Sequence, residues 1–93
     1  MEKTLLRPVI DQIATGEKIK KIRKEQGLSV RDIQNIFGFD YPQAVYAWEQ
    51  GRNVPTIDNL LVLSSLFKVQ ISDLIVTRQV EIILETTDYP KSA

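Results

Sequence analysis

The chain has 93 residues, 12 Lys plus Arg against 12 Asp plus Glu, and neither Cys nor His. A chain of this length buries about 64% of its unfolded surface, which is enough for one compact core. The missing Cys and His exclude disulfides, thiolate nucleophiles and the imidazole groups that many metal sites and acid–base enzymes use. No apolar run is long enough to span a membrane and the N-terminus lacks the apolar stretch of a signal peptide, so we expect a soluble, cytoplasmic domain.

The zero net charge conceals a polarised chain. Residues 17–31 carry six basic and two acidic side chains, whereas residues 32–93 carry four basic and eight acidic ones. The net charge of +4 in the first segment fits either an ordinary solvated helix face or a surface that binds an anion. The total charge therefore does not exclude a nucleic-acid partner.

Helix-forming residues and capping signals predict five short helices in the middle of the chain. The first helix is predicted over Gly16–Gln26, and Gly27 ends it. Ser29 opens the second helix, because it can form a capping box with Asp32, and Gly38 ends it. The close spacing of the second and third helices predicts a helix-turn-helix.

Capping signals also place the last three helices. The third is predicted to begin after Asp40 or Tyr41, and Pro42 favours Tyr41 as the cap because Pro prefers the first helical position. Thr56 caps the fourth helix, whose apolar residues cover so much of its circumference that we expect it to be the most buried helix. Ser72 is predicted to cap the fifth.

The two ends of the chain differ from the middle. Residues 79–87 are rich in β-branched residues and alternate partly between apolar and acidic ones, which predicts a strand paired with the N-terminal arm or with a second chain's tail. A continuation of the fifth helix is the alternative. We predict an N-terminal arm over 1–14, a helical domain over 15–77, and a tail over 78–93 that is a candidate for dimerisation.

The third helix carries an uncharged stripe opposite its predicted packing side. Its members share one face at helical spacing: Gln43, Tyr46, Ala47 and Gln50. An amide can bond adenine bidentately, a methyl can contact the thymine methyl, and a phenol can reach a phosphate. The stripe therefore fits a helix that reads the major groove, and it fits an ordinary surface or protein-contact face equally well.

Three motifs occur together in the helical segment: G-L-S before the second helix, W-E-Q-G at the end of the third, and P-T-I-D-N-L at the start of the fourth. Because these three motifs occur together, the segment from about Thr15 to Val76 resembles the lambda-repressor-like, or Cro/XRE, family of bacterial helix-turn-helix DNA-binding domains. A Firmicutes-type subgroup of small regulators, with the pattern G-F-x-x-P-Q-A-x-Y-x-W, is also similar. Five helices in about sixty residues predict a compact all-α domain. The resemblance implies a lambda-repressor-like five-helix bundle with a helix-turn-helix, to which the sequence adds a short extended N-terminal arm and the candidate C-terminal strand.

The resemblance implies roles for particular residues. Gln43 and Ala47 are implied to face bases, and Tyr46 and Gln50 are further base-reading candidates on the same stripe. The phosphate backbone is expected to meet residues at the starts of the second and third helices and in the loop after the third: Ser29, Arg31, Tyr41, Arg52 and Asn53.

Members of the family often form an ion pair between a basic residue in the first helix and the acidic residue after the reading helix. Here that pattern implies a structural ion pair between Arg23 and Glu49, so Arg23 is expected to be unavailable to DNA. Three positions depart from the family pattern. Val30 replaces a Gln that often contacts phosphate, Pro42 falls where many members carry a polar reader, and the turn before Trp48 is one residue longer.

The resemblance implies a sequence-specific double-stranded DNA-binding transcription regulator, a repressor, that reads the major groove with residues 41–50 as a homodimer on a palindromic operator. The alternative is an antitoxin-like or adaptor protein-interaction module on the same fold with weak or no DNA binding. An enzyme is disfavoured, because the sequence contains no nucleophile–base pair, metal set or Gly-rich phosphate loop. No cofactor, metal or small-molecule ligand is expected, and the protein is expected in the cytoplasm at the nucleoid.

Overall fold

The structure, a computed structural model, describes residues 2–85. These residues form five helices between two strands, in the order β1 (Glu2–Ile10), α1 (Gln12–Glu25), α2 (Val30–Phe37), α3 (Gln43–Glu49), α4 (Ile57–Phe67), α5 (Ile71–Leu74) and β2 (Thr77–Glu85). None of the described helices is both long and apolar enough to cross a membrane.

The two strands form an antiparallel ribbon, so the fold is mostly helical and the all-α expectation is only partly right. The register runs from Glu2 opposite Glu85 to Ile10 opposite Thr77. Of the alternatives for the C-terminal segment, pairing with the N-terminal arm is confirmed and a continuation of the fifth helix is wrong. Residues 86 and 87 of the predicted strand, and the tail beyond them, lie outside the described residues.

Two helix starts agree with the capping signals in the sequence. Ser29 Oγ accepts the Asp32 backbone N–H at 3.0 Å, and Asp32 Oδ2 accepts the Ser29 N–H at 2.8 Å, which completes the predicted capping box of α2. Thr56 Oγ1 accepts the Asn59 N–H at 3.2 Å at the start of α4. Both caps are short-range bonds, so local sequence suffices to predict them.

The other three helix starts differ from prediction. Helix α1 begins four residues earlier, because Asp11 Oδ1 accepts the Ala14 N–H at 3.0 Å and caps it. Helix α3 begins at Gln43, with Pro42 in the cap position instead of Asp40 or Tyr41 and with no side-chain cap. At α5 the cap is Gln70 instead of Ser72, and the Asp73 carboxylate accepts the Gln70 N–H at 3.1 Å.

The core lies where the five helices meet. Its buried members are Ile19, Ile33, Val45, Trp48, Leu63, Phe67 and Leu74. The Trp48 ring makes edge-on contacts with Phe37 and Phe39, at centroid distances of 5.3 and 5.9 Å. These contacts hold α3 against the end of α2 and the turn that follows it.

Helix α4 is less buried than its apolar sequence predicts. Leu60, Leu63 and Phe67 face the core, but three apolar side chains on its other side are exposed: Ile57, Leu61 and Val62. The prediction that α4 is the most buried helix is wrong, because three of its 11 residues are buried, compared with four of the seven residues of α3.

The base of the ribbon is tied to the helical unit by the chain segments that enter and leave it. The Thr15 hydroxyl donates to the Val76 carbonyl at 3.3 Å and accepts the Val76 N–H at 3.0 Å. The Asp11 N–H donates to the same carbonyl at 2.8 Å. Thr15 is buried, so these bonds are shielded from competing water and fix where the ribbon leaves the helices.

Candidate nucleic-acid interface

Helix α3 has one buried and one exposed side. Val45 is fully buried and Trp48 is 5% exposed, and both pack into the core. Gln43 and Gln50 are exposed on the opposite side, with Tyr46 45% exposed between them. We call Gln43, Tyr46 and Gln50 the α3 stripe. Its two amides and one phenol can all make directional hydrogen bonds to a surface laid against the helix.

Ala47 does not belong to the α3 stripe. It is only 6% exposed, so the predicted position of its methyl group on the exposed face is wrong. The chain reverses at Gly51, and the backbone N–H groups of Arg52 and Asn53 return to the Ala47 carbonyl at 2.9 and 3.3 Å. A helical wheel of residues 41–50 cannot anticipate this reversal, which brings the following loop back against the helix.

The segment before α3 bends at residues 40–42 and exposes the Tyr41 side chain. Tyr41 is 70% exposed and precedes the helix by two residues, so it lies outside the α3 stripe. Pro42 has no backbone N–H to offer a ligand, so the polar groups at this end of the helix include the Tyr41 phenol and the Gln43 amide. Its exposure is compatible with the phosphate contact predicted for it.

The N-terminus of α2 is largely occupied by its own capping box. The N–H groups of Ser29 and Asp32 are bonded within the box, so they are not free donors for a phosphate. The hydrogen bonds from Ser29 lower the pKa of the Asp32 carboxyl, which keeps a negative charge at this position. Of the groups predicted to hold phosphate here, the exposed Arg31 side chain is therefore the main candidate.

The loop after α3 presents two further polar side chains. Arg52 and Asn53 are both exposed, while their backbone N–H groups are fixed to the Ala47 carbonyl. Gly51, with φ of 73°, holds the reversal, and a Cβ there would lie 2.7 Å from Ile13 Cα. The loop is thus anchored to the start of α1, so the Arg52 guanidinium projects from a fixed backbone.

A buried ion pair holds the end of α3. Arg23 Nε donates to Glu49 Oε2 at 2.6 Å, Arg23 Nη2 donates to Glu49 Oε1 at 2.9 Å, and Arg23 Nη1 donates to the Leu28 carbonyl at 2.9 Å. The two side chains are 9% and 5% exposed. The hydrogen bond to Glu49 raises the pKa of the Arg23 guanidinium, against the opposing effect of burial. These bonds show the expected ion pair between Arg23 and Glu49, and they place the Arg23 guanidinium inside the fold.

The matches with known proteins agree with this geometry. Residues 16–80 match the model of a family described as "Helix-turn-helix domain". The chain belongs to this helix-turn-helix family. The resemblance to Cro/XRE-like proteins is thereby confirmed, whereas nothing in the comparisons supports the Firmicutes-type subgroup. No curated protein matches the chain.

Several solved structures share the fold of this helix-turn-helix protein. The restriction-modification controller protein C.AhdI from Aeromonas hydrophila superposes with a TM-score of 0.62 at 23% identity, over 69% of this chain and 96% of that one. A BldD DNA-binding domain has a TM-score of 0.59 at 24% identity, over 70% and 93% of the two chains. The S. venezulae BldD DNA-binding domain has a TM-score of 0.60 at 24% identity, over 70% and 96%.

The ribbon of this helix-turn-helix protein extends beyond the family match. The match begins at residue 16, after the whole of β1, and it ends at residue 80, within β2. Nearly the full length of the similar chains corresponds to about two-thirds of this one. The family match thus covers the helices from residue 16 onward and leaves most of the ribbon outside it.

One positioning residue of the helix-turn-helix unit was not predicted from the sequence. Gly16 lies in α1, where a Cβ would come 2.9 Å from the Glu49 carbonyl oxygen and into contact with the Trp48 carbonyl oxygen. The absence of a side chain lets α1 approach the end of α3. A Gly inside a helix beside a small Thr is the only sequence signal for this close approach.

Proposed function

We propose that this helix-turn-helix protein is a sequence-specific double-stranded DNA-binding transcription regulator, a repressor that acts as a homodimer on a palindromic operator. The observation that carries the proposal is the α3 stripe, because a short helix that is locked into the core on one side exposes amides on the other. In this arrangement α3 lies in the major groove as the recognition helix.

The chemistry of the α3 stripe favours base contacts. A Gln amide can donate to adenine N7 and accept from adenine N6 at once, and either Gln43 or Gln50 can do so. Tyr46 lies between them and can reach a base edge or a phosphate oxygen. Ala47 makes no contribution, because its methyl group is buried.

Exposed groups on both sides of the stripe fit the phosphate backbone. Arg31 lies at the start of α2, Tyr41 precedes α3, and Arg52 and Asn53 follow it. Arg23 is excluded, because its guanidinium is bonded to Glu49. With so few cations, non-specific affinity is expected to be weak and specific binding to depend on base contacts and dimerisation.

A homodimer suits the size of the recognition helix. Helix α3 has seven residues, which corresponds to a length of about 10 Å and to contact with only a few base pairs. Two copies related by a two-fold axis would read two half-sites about 34 Å apart. The similarity to BldD DNA-binding domains and to a controller protein supports a regulator of this kind.

The acidic residues beside the stripe favour a second candidate, an antitoxin-like or adaptor module with weak or no DNA binding. Asp32 and Asp40 are both exposed near the segments that would approach phosphates. Selection of bound duplexes from a random library at low salt distinguishes the two functions. Enrichment of a palindromic motif supports the regulator, and failure to retain any duplex supports the protein-interaction module.

Replacing Gln43 with alanine is expected to relax specificity at one base pair of each half-site. The lost amide contact should reduce discrimination there by about 1–3 kcal/mol and leave the other positions unchanged. The measurement is competitive binding with single-base variants of the selected duplex. The exposed Gln12 on α1 offers a matched control, and its alanine variant should show wild-type discrimination. An unaltered base preference in the Gln43→Ala protein would remove Gln43 from the base-reading set.

Replacing Arg52 with alanine is expected to weaken binding to all duplexes by a similar factor. Loss of one phosphate contact should reduce the slope of log K against log salt concentration by about one. The measurement is a salt titration by fluorescence anisotropy, with Lys20→Ala on the exposed side of α1 as the control for loss of a positive charge. If both variants keep the wild-type slope, Arg52 does not contact phosphate.

A further inference from the structure

The two outer edges of the ribbon differ in how well they are protected against pairing. The β1 strand contains Lys3 and Pro8, two residue types that block the addition of another strand at an edge. The β2 strand contains neither Lys nor Pro, so every one of its residues keeps a backbone N–H that can pair. The two strands are otherwise alike, with three charged residues and four Val, Ile or Leu residues in each. Within residues 2–85, β1 is the only strand paired with β2. The outer edge of β2 is therefore the one open to a further strand.

The ribbon also exposes more apolar surface than an isolated hairpin is expected to tolerate. Leu5 and Leu6 on β1 are 46% and 61% exposed, and Ile83 and Leu84 on β2 are 60% and 43% exposed. A two-stranded ribbon alone is marginally stable in water, and a third or fourth strand stabilises it. These four exposed apolar side chains are divided equally between the two strands, so it is the unprotected edge that points to a partner at β2.

The partner that fits this edge best is a second copy of the chain. We propose that the outer edge of β2 pairs antiparallel with β2 of a second copy, around a two-fold axis at Ile82. The product is a continuous four-stranded sheet in the order β1–β2–β2–β1. This interface rests on the homodimer of the proposed function and specifies which surface forms it.

The residue pattern of β2 selects this register. Full overlap of the two β2 strands would place Glu81 opposite Glu81 of the second copy, and like charges directly opposite each other are destabilising. A shift of two residues keeps every side chain on its own face of the sheet. That shift places Ile82 opposite itself, Val80 opposite Leu84, and Glu81 opposite Ile83.

The opposite shift is less favourable. It centres the axis on Val80 and places Arg78 opposite Ile82, so the one apolar pair that remains is Val80 opposite itself, compared with three apolar pairs with the axis at Ile82. With the axis at Ile82, residues 79–85 of each copy overlap, and the side chains of Val80, Ile82 and Leu84 from both copies form one apolar row on one face of the sheet. Pairing about a two-fold axis uses the same edge on both copies, so the assembly closes as a dimer.

Cysteine cross-linking tests this register directly, because the natural chain contains no Cys. Directly opposite residues in antiparallel strands have Cα atoms about 4.5–5.5 Å apart, within the range of a disulfide. The Ile82→Cys variant of the full chain, oxidised mildly in the absence of DNA, is therefore expected to form a disulfide-linked dimer on a non-reducing gel.

Two further variants test the two-residue shift between the paired β2 strands. Val80→Cys and Leu84→Cys should each cross-link poorly alone, because in each variant the two cysteines of the dimer lie about 13 Å apart along the strand. An equal mixture of these two variants should cross-link efficiently. Leu6→Cys, on an exposed position of β1, is the control for random collisions. Light scattering of the unmodified protein should give the mass of a dimer.

The outcomes separate this interface from the proposed function. A dimer by light scattering in which Ile82→Cys cross-links no faster than Leu6→Cys overturns the interface, and a monomeric protein overturns both the interface and the homodimer. A monomer whose DNA affinity falls when Lys3, Arg7 and Arg78 are replaced would instead assign the ribbon to DNA. Efficient cross-linking of Ile82→Cys in a protein that retains no duplex supports the interface and rejects the regulator.

Discussion

Replacing Glu49 with alanine is expected to lower the free energy of unfolding by about 3–5 kcal/mol, because it leaves the Arg23 charge buried without its counter-ion. Glu49 accepts two hydrogen bonds from the guanidinium, and both side chains are less than 10% exposed. Among residues 2–85, the Leu28 carbonyl would be the only remaining hydrogen-bond partner of the Arg23 guanidinium. Urea denaturation followed by circular dichroism measures the loss.

The Arg23→Met, Glu49→Leu double variant distinguishes a lost ion pair from general damage. Replacing both charges with apolar groups removes the buried unpaired charge, so this variant should recover most of the stability that Glu49→Ala loses. The exposed Glu25 is the control for loss of an acidic side chain, and Glu25→Ala should stay within about 0.5 kcal/mol of wild type. A Glu49→Ala protein as stable as Glu25→Ala would show that the ion pair does not hold α3.

Replacing Gly16 with alanine is expected to destabilise the protein by about 3 kcal/mol or more, at or above the upper end of the usual cost of overpacking. The new Cβ would lie 2.9 Å from the Glu49 carbonyl oxygen and contact the Trp48 carbonyl oxygen. Both are backbone atoms, so no side-chain rotation relieves the clash and α1 must move away from α3. Thermal unfolding monitored by circular dichroism measures the effect.

Whether Gly16→Ala lowers or raises the stability shows whether α1 and α3 are in close contact at this position. Inside an unconstrained helix, alanine is more stable than glycine by about 0.5–1 kcal/mol, so a clash must first cancel that gain. Lys20→Ala in the same helix is the control, since Lys20 is exposed and its replacement should change stability little. A stabilised Gly16→Ala protein would mean that α1 and α3 have room to spare. A destabilised one should also lose DNA affinity, because α3 moves.

The parts of the fold that depend on local bonds were predictable from the sequence. Ser29 with Asp32, and Thr56, cap their helices through bonds that span three residues. The start of α1 was missed because Gly16 lowers helix propensity just after the Asp11 cap, and the β-branched residues before Asp11 suggest an extended arm. Residues 79–87 are predictable as a strand from their composition. Which segment pairs with that strand is not, because the choice between the N-terminal arm and a second chain depends on contacts between distant residues.

The candidate site was predictable to a similar extent. Helical periodicity places Gln43, Tyr46 and Gln50 on one exposed side, as the structure does. It fails for Ala47, which is only 6% exposed, because periodicity within one helix does not show which neighbouring elements cover it. The pairing of Arg23 with Glu49, 26 residues apart, came from family resemblance, since no spacing rule connects them.

The bonds between Thr15 and Val76 have a consequence for the order of folding. They join residues 61 positions apart, and the ribbon continues outward from that junction. Closing so long a loop has an entropy cost that local helical contacts do not have. We therefore expect the helices to form first and the two strands to pair afterwards. On the ribosome, β1 is made before the helices and stays unpaired until β2 has emerged. The rate of the last folding phase should therefore depend on the strands, although the helices make up most of the structure.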